Sequence, residues 1–153
     1  MTGTGTRKAC VDLHRLHEQN FNLLMHLAPH LRTIDGTLVS KNDVGNEIHL
    51  SILENSPYTL TLSMTEFLQT GSLKISYPDI QLRVYYDARV AEVLRFRTRT
   101  GLGWLEPKQR FRQMGRAHMV RLNHFLRDWL TRCIAQGHDF KLASMDDSIL
   151  ENA

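Results

Sequence analysis

The segment Gln81–Arg99 reads QLRVYYDARVAEVLRFRTR and carries the strongest strand signal in the chain. In its first half, apolar and polar side chains alternate, the apolar ones being Leu82, Val84 and Tyr86. This period of two is typical of a half-buried β-strand. A turn near residues 87–89 separates it from a second alternating run. The segment therefore predicts an antiparallel hairpin with one apolar face.

The second strand of this hairpin has two chemically different faces. We expect Leu94 and Phe96 to lie on the apolar face, because they are two residues apart. Three arginines alternate with them on the other face: Arg95, Arg97 and Arg99. The alternation thus predicts a row of cations along one strand.

The rest of the chain supplies further strands and two helices. Residues 46–53 and 58–65 alternate around a turn and predict a second hairpin, and Thr37–Lys41 is a weaker edge strand. Amphipathic helices are expected over about 7–27 and 116–136. Since one apolar sheet face must be covered, the predicted fold class is α+β. It is a four- or five-stranded antiparallel meander with an N-terminal and a long C-terminal helix packed on one face.

Several connecting segments have weaker signals. Residues 1–6 are rich in Gly and Thr and are expected to fray. Residues 66–78 are expected to form a connection with a strand at 72–76, and residues 100–105 a loop. Pro107 suits the first turn of a helix, which Gly115 is expected to divide.

The domain organisation follows from the end of the second helix. Gly137 fits the position just past a helix end, where a left-handed conformation is common. We expect a single domain over residues 1–137 and an acidic, flexible tail over residues 138–153.

Composition predicts a compact cytoplasmic protein. The chain has 153 residues, of which 42% are hydrophobic and 23% are charged, so one domain with its own core is expected. It has no run of apolar residues long enough for a membrane span and no apolar leader segment at its start. Cys10 and Cys133 form no paired motif, which favours reduced thiols. Cys133 also lies on the apolar stripe of its helix, which predicts a buried structural thiol.

Basic charge is concentrated in one segment. The formal net charge is +3, but residues 95–121 contain eight Lys and Arg against one acid, Glu106. Aromatic side chains are interleaved with these cations. Such a mixture is typical of surfaces that bind single-stranded nucleic acid through phosphate contacts and base stacking. The candidate ligand-binding residues are Arg95, Arg97, Arg99, Trp104, Lys108, Arg110 and Arg112.

Other chemical motifs are weak. His14 and His17, and His26 and His30, have helical metal-ligand spacings, but the two pairs point to nearly opposite sides of the helix. No metal or other cofactor is predicted. The sequence GLG at 101–103 lacks the third glycine of a dinucleotide fingerprint and the lysine of a P-loop.

Charged residues also flank the central turn. Asp87 and Glu92 lie near Arg83 and Arg89 in sequence. The simplest interpretation is a salt-bridged hairpin, with exposed pairs contributing about 0–1 kcal/mol each. The alternative is a polar cluster that positions a ligand.

Three stretches resemble a known family. They are LENSPYT at 53–59, YDARVAEV at 86–93, and NHFLRDWL at 123–130 with Cys133 and Gly137 after it. The chain resembles the YqiB-like family over about residues 9–138. The resemblance implies a small proteobacterial cytoplasmic protein of unknown function, and it supplies no catalytic residue.

Three functional hypotheses remain open. The first is a non-enzymatic module that binds RNA or a nucleotide through the basic residues named above. The second is an adaptor that binds an acidic protein surface through the sheet edge or the basic helix. The third is an enzyme that uses Asp87, Glu92 or nearby histidines. We expect a binding protein rather than an enzyme, with no membrane contact and an oligomeric state that the sequence does not determine.

Overall fold

The computed structural model describes the backbone of residues 2–97, 104–105 and 107–140. Side chains are described for residues 13–68, 71–72, 76, 78–96 and 117–140.

In the sequence, one long helix precedes the strands and a second long helix follows them. In chain order the elements are α1 (Thr2–Leu27), a 3-10 turn (Leu31–Thr33), β1 (Thr37–Lys41), β2 (Glu47–Asn55), β3 (Thr59–Thr70), β4 (Leu73–Tyr85), β5 (Val90–Arg97), β6 (Trp104–Leu105) and α2 (Pro107–Ala135). The strands form one sheet in the order β1-β2-β3-β4-β5-β6, and every pair is antiparallel. The predicted α+β meander is confirmed, and the two-residue strand β6 adds a sixth strand within the predicted loop.

The core lies between one face of the sheet and both helices. Fully buried apolar side chains come from every long central strand and from both helices: Leu24, Leu27, Ile48, Leu50, Leu60, Leu62, Ile80, Leu82, Leu126 and Trp129. They belong to one continuous cluster. We call this side of the sheet the inner face, and the opposite side the outer face. Neither described helix is long and apolar enough to cross a membrane.

Two buried asparagines join the helices to the sheet. Asn20 Nδ2 donates to the carbonyl of Asn123 at 3.2 Å. The Asn123 side chain donates to the Met119 carbonyl at 2.9 Å and accepts the Val93 N–H at 3.4 Å. Asn20 interrupts the apolar stripe of α1 because this position faces a backbone carbonyl of α2 rather than a side chain.

A bulge in β5 overturns one part of the predicted hairpin. Gln81 pairs with Arg95, but the next residue, Leu82, pairs with Val93. Leu94 is therefore the extra residue of the bulge and is only half-buried, whereas Val93 is 4% exposed. The prediction that Leu94 shares a face with Phe96 is wrong, because a bulge shifts the alternation by one residue.

Some element boundaries also differ from the predictions. The predicted connection over 66–78 is mostly strand, since β3 and β4 continue until a turn at Gly71, where φ is +63°. Helix α1 begins at Thr2 rather than near residue 7. Helix α2 begins at Pro107, as predicted, but continues through Gly115 without a break. A glycine inside a helix costs only about 1 kcal/mol, which the packing of a long helix offsets.

The end of α2 is a Schellman motif, as the position of Gly137 predicts. Gly137 has φ of +87° and donates its N–H to the Ile134 carbonyl at 3.1 Å, while the His138 N–H donates to the Cys133 carbonyl at 3.0 Å. This motif turns the chain back toward the core.

The packed region extends beyond the predicted boundary at residue 137. His138 is 4% exposed and Phe140 is 3% exposed. The Phe140 N–H donates to the Leu27 carbonyl, at the end of α1, at 3.0 Å. Residues 138–140 are therefore part of the domain, since the Schellman turn directs them over the helix ends. The predicted acidic tail beyond them lies outside the described residues.

Candidate functional site

The outer face of the sheet presents short polar side chains in rows across the strands. One row consists of Thr37, Ser51, Ser63, Gln81 and Arg95, which are register partners from β1 to β5. Residues that pair directly across antiparallel strands share a face of the sheet. The row is uncharged until it reaches β5, where the half-buried Arg95 ends it.

The neighbouring row combines an acid, a cation and an aromatic residue. It consists of His49, Thr65, Asp79, Arg97 and Trp104. The Thr65 hydroxyl donates to Asp79 at 3.0 Å. Arg97 occupies the register position between the acid and the aromatic, so the arginine positions of β5 adjoin β6 directly.

The predicted ligand-binding residues are distributed over β5, β6 and the start of α2. Arg95 and Arg97 are in β5, Trp104 is in β6, and Lys108, Arg110 and Arg112 are in the first turns of α2. Arg99 lies outside the described residues. The chain passes from β6 to α2 within two residues, so the Trp104 position closely precedes the start of α2. We use the term basic surface for the predicted set of ligand-binding residues, which are Arg95, Arg97, Arg99, Trp104, Lys108, Arg110 and Arg112.

Arg83 is a further cation on the outer face that was not among the candidates. Its register partners are Thr61 on β3 and Glu92 on β5. Its Nε donates to the Thr61 hydroxyl at 3.4 Å. The available signal was the alternation of Arg83 with the buried Leu82 and Val84, which assigns it to the face that carries Gln81 and its partner Arg95.

The charges near the central turn are held within the hairpin. The Tyr85 hydroxyl donates to Glu92 at 2.8 Å, and burial, with Glu92 second, raises the pKa of Tyr85. Arg89 has φ of +56°, and its guanidinium carbon lies 5.0 Å from the centre of the Phe21 ring. Asp87 is exposed. These contacts describe a stabilised hairpin in which Glu92 binds Tyr85 and Asp87 is exposed.

A buried carboxyl group lies on the inner face. Glu66 is 1% exposed and is the register partner of Ile48 on β2. The pairing of β3 with β4 is irregular between Thr65 and Phe67, opposite a stretch that contains Pro78. Proline has no N–H to donate to a ladder, and such irregularities change the direction of a side chain.

Two side chains of α2 reach the same oxygen of Glu66. The indole Nε1 of Trp129 donates to Oε1 at 3.0 Å, in the buried interior. Nη2 of Arg132 lies 3.7 Å from Oε1, and the Arg132 side chain is 54% exposed. Burying a carboxylate costs several kcal/mol unless hydrogen bonds and opposite charges compensate it. In the described part of the chain, Oε2 of Glu66 has neither a hydrogen-bond donor nor a cation beside it.

The Glu66 carboxyl lines a pocket at the C-terminal end of α2. The pocket has a volume of about 280 Å³. Its lining residues come from the start of β2, from β3 and from the last turns of α2: Asn46, Glu66, Leu68, Arg132 and Gln136. We call this cavity the Glu66 pocket.

A buried histidine lies close to Glu66. His138 Nδ1 is 3.1 Å from the Ser40 hydroxyl, which also accepts the Asp139 N–H at 3.0 Å. Burial lowers the pKa of His138, although the Glu66 carboxyl opposes the shift. The imidazole is therefore neutral near neutral pH. Its Nε2 is buried and finds no hydrogen-bond partner within the described residues.

Sequence reasoning missed Glu66 for a definite reason. Leu60, Leu62 and Met64 predict the inner positions of β3, and the next position in that alternation is Glu66. Because the predicted strand ended at Thr65, Glu66 fell in the predicted connection over residues 66–78. An acid at an apolar position of a continued strand would have indicated a buried carboxyl group.

Cys133 provides a prediction about pH and reactivity. Burial raises the pKa of the Cys133 thiol to about 12, and Glu66 adds to the rise. Because only a thiolate alkylates readily, folded protein in a Cys10→Ser background should resist iodoacetamide near pH 8 and react when unfolded in urea. Mass spectrometry measures the labelled fraction, and rapid labelling of folded protein would contradict the burial of the thiol.

Cys133 should also make stability depend on pH. The unfolded thiol ionises near its ordinary pKa of 9.0, whereas the folded thiol has a pKa of about 12. The free energy of unfolding should therefore fall as pH rises from the first value to the second.

The fold and these sites define a small α+β protein with a polar outer sheet face and a buried carboxyl group beneath its C-terminal helix. A family model described as "Protein of unknown function (DUF1249)" matches residues 23–139. The Uncharacterized protein YqiB of Escherichia coli strain K12 is 33% identical over 132 residues, which cover 82% of this chain and 89% of that protein. The YqiB proteins of E. coli O6:H1 and O157:H7 match to the same extent. No solved structure matches the chain. The chain belongs to this YqiB-like family of uncharacterised proteins, as the three sequence stretches indicated.

Proposed function

We propose that this protein is a non-enzymatic binding module whose basic surface binds an anionic ligand, either RNA or a nucleotide. The observation that carries the proposal is the strand register at one side of the sheet. Arg95 and Arg97 alternate in β5, and Arg97 is the register partner of Trp104 in β6. Two cation positions and an aromatic position are thus adjacent on one rim of the sheet.

Spacing supports an extended chain of phosphates as the ligand. Alternate residues of a strand are about 6.6–6.8 Å apart, from a rise of about 3.3–3.4 Å per residue. This distance suits one arginine for each phosphate of an extended single strand. Arg99 continues the same spacing in the sequence.

The start of α2 adds favourable electrostatics. The first turn of α2 contains no acidic residue, and Lys108, Arg110 and Arg112 follow Pro107 directly. The N-terminus of a helix carries a partial positive charge, which attracts phosphate groups. An aromatic side chain at Trp104 could contribute stacking of about 1–3 kcal/mol per base.

Binding of a fluorescent oligoribonucleotide at several salt concentrations tests the proposal. Each phosphate neutralised on a single strand contributes about −0.7 to the slope of log affinity against log salt, so the three arginines should contribute about −2. The triple variant Arg95→Ala, Arg97→Ala and Arg99→Ala should lose most of this slope and remain folded. Its control is Arg15→Ala, Arg121→Ala and Arg127→Ala, which removes the same charge from helix positions and should retain the slope.

The same titration separates the alternatives. Competition by a mononucleotide at concentrations similar to those of the RNA would identify a nucleotide site, whereas selective competition by longer strands would identify an RNA surface. An absence of binding at low salt, or equal binding by the triple variant, would end the nucleic-acid proposal. The adaptor hypothesis, with an acidic protein surface as the partner, would then stand first.

A further inference from the structure

We infer that the Glu66 pocket is a second ligand site, which takes a small zwitterion carrying an ammonium and a carboxylate group, of the size of a free α-amino acid. This inference does not depend on the basic surface. That surface involves the outer-face positions of β5, whereas Glu66 is an inner-face residue of β3.

The Glu66 carboxyl group in the pocket is a hydrogen-bond acceptor that is held in place. Trp129 donates to Oε1 of Glu66 at 3.0 Å, and both of these residues are 1% exposed. The indole thereby holds the carboxyl group in one orientation. Arg132 also approaches Oε1, and among the described residues no side chain or backbone group bonds Oε2. One oxygen of a positioned carboxyl group is thus available to a donor in the pocket.

The fold itself does not require this second oxygen. A glutamine at position 66 would accept the Trp129 N–H equally well and would avoid the cost of a buried charge. Because Glu66 lines the pocket, its second oxygen can accept a hydrogen bond from a ligand there without loss of the contact to Trp129. Trp129 already occupies Oε1. The geometry therefore favours a ligand group that donates one hydrogen bond to Oε2, such as an ammonium, over a bidentate donor that needs both oxygens.

The pocket also contains the complementary charge. The Arg132 side chain is 54% exposed, and the 3.7 Å distance from its Nη2 to Oε1 is longer than a hydrogen bond. Its N–H groups can therefore bind a ligand carboxylate, for which the planar fork of arginine is suited. A ligand with only one charge would pair with either Glu66 or Arg132 but not with both. A zwitterion pairs with both.

The remaining lining sets the size and polarity of the ligand. Leu68 supplies an apolar wall, and Gln136 and Asn46 supply amide groups. The volume of about 280 Å³ falls just below the range of about 300–1,000 Å³ that is typical for drug-sized ligands. The pocket thus suits a compact molecule with a short aliphatic part.

Calorimetric titration of the full chain with the standard L-amino acids is the first test. At least one amino acid should bind the wild type. Its decarboxylated amine and its deaminated acid should each bind about tenfold more weakly or not at all, because each lacks one of the two charges. Failure of every amino acid to bind, or an amine that binds as well as its parent amino acid, would overturn the inference.

Three matched variants extend the test. Glu66→Gln keeps the acceptor for Trp129 and should lose binding, as should Arg132→Gln. Arg127→Gln, which removes an exposed pair with Asp128 on the same helix, should bind like the wild type. Unchanged binding by Glu66→Gln or Arg132→Gln would refute the site. Should Glu66→Gln fail to fold, Arg132→Gln and the two ligand fragments still decide the question.

Nuclear magnetic resonance locates the bound ligand. The indole N–H of Trp129 donates to Glu66 and should shift when an amino acid binds, whereas the indole N–H of Trp104 belongs to the basic surface and should not. A shift confined to Trp104 would relocate the ligand to the basic surface and overturn the assignment to the Glu66 pocket.

Discussion

Trp129→Ala is expected to lower the free energy of unfolding by about 3–5 kcal/mol, as truncation of a buried aromatic side chain does. Trp129 is 1% exposed and contributes to the cluster between α2 and the inner sheet face. The substitution leaves a cavity and also removes the hydrogen bond to Glu66, whose carboxyl group stays buried. Both effects act in the same direction, so this is the largest single-residue loss that we predict.

Trp129→Phe separates the two contributions. It retains most of the apolar volume and removes the indole N–H, and the lost hydrogen bond is expected to cost about 1–3 kcal/mol. Urea unfolding curves of Trp129→Phe, of Glu66→Leu, which removes the acceptor, and of the two changes combined form a double-mutant cycle for the indole–carboxyl contact. A Trp129→Ala protein within about 1 kcal/mol of the wild type would contradict the packing of α2 described above.

Two truncations are expected to differ sharply in stability. A chain that ends at Phe140 should unfold at nearly the same urea concentration as the full chain, because the removed residues carry few apolar anchors. A chain that ends at Gly137 should lose about 3–5 kcal/mol, the cost of deleting a buried aromatic side chain. It also loses the Phe140 N–H bond to Leu27 and the Asp139 N–H bond to Ser40.

Phe140→Ala in the full chain is the control for these truncations. It should reproduce most of the loss seen in the chain that ends at Gly137, since the ring accounts for most of the buried apolar area. Equal stability of the two truncated chains would show that residues 138–140 do not anchor the end of α2 to α1. A large loss in the chain that ends at Phe140 would instead show that residues beyond 140 stabilise the domain.

The two candidate sites are expected to differ in how strongly salt weakens ligand binding. The binding proposed for the basic surface rests on phosphate contacts and is expected to weaken steeply with salt. Binding in the Glu66 pocket depends on a partly buried charge pair, which salt screens much less. Salt dependence therefore distinguishes the sites without any substitution.

Much of the architecture was determined by local sequence pattern. The alternation in Leu82 and Val84, the edge strand Thr37–Lys41, the start of α2 at Pro107 and its Schellman end at Gly137 were all predicted and are present. Each depends on interactions between residues close in the chain: the period of side chains on a strand, the fixed φ of proline and the left-handed conformation of glycine. Burial of Cys133 followed from the helical stripe in the same way.

The exceptions are features that contacts between distant segments determine. The bulge at Leu94 arises from how β5 pairs with β4, and β3 continues past Thr65 because its partner strands support it. Phe140 is buried because the end of α2 lies beside the end of α1. No local pattern encodes these pairings.

The candidate sites follow the same division. The basic surface was proposed from the sequence, because the clustering of Arg95, Arg97 and their neighbours is visible along the chain, and its role in binding stays a prediction. The Glu66 pocket could not, because Glu66 and Trp129 are 63 residues apart in sequence. The sequence by itself determined the strands, the helices and the distribution of charge. Only the tertiary structure decided that one acid would be buried beneath α2, since its indole and guanidinium partners reach it only after the helix has packed on the sheet.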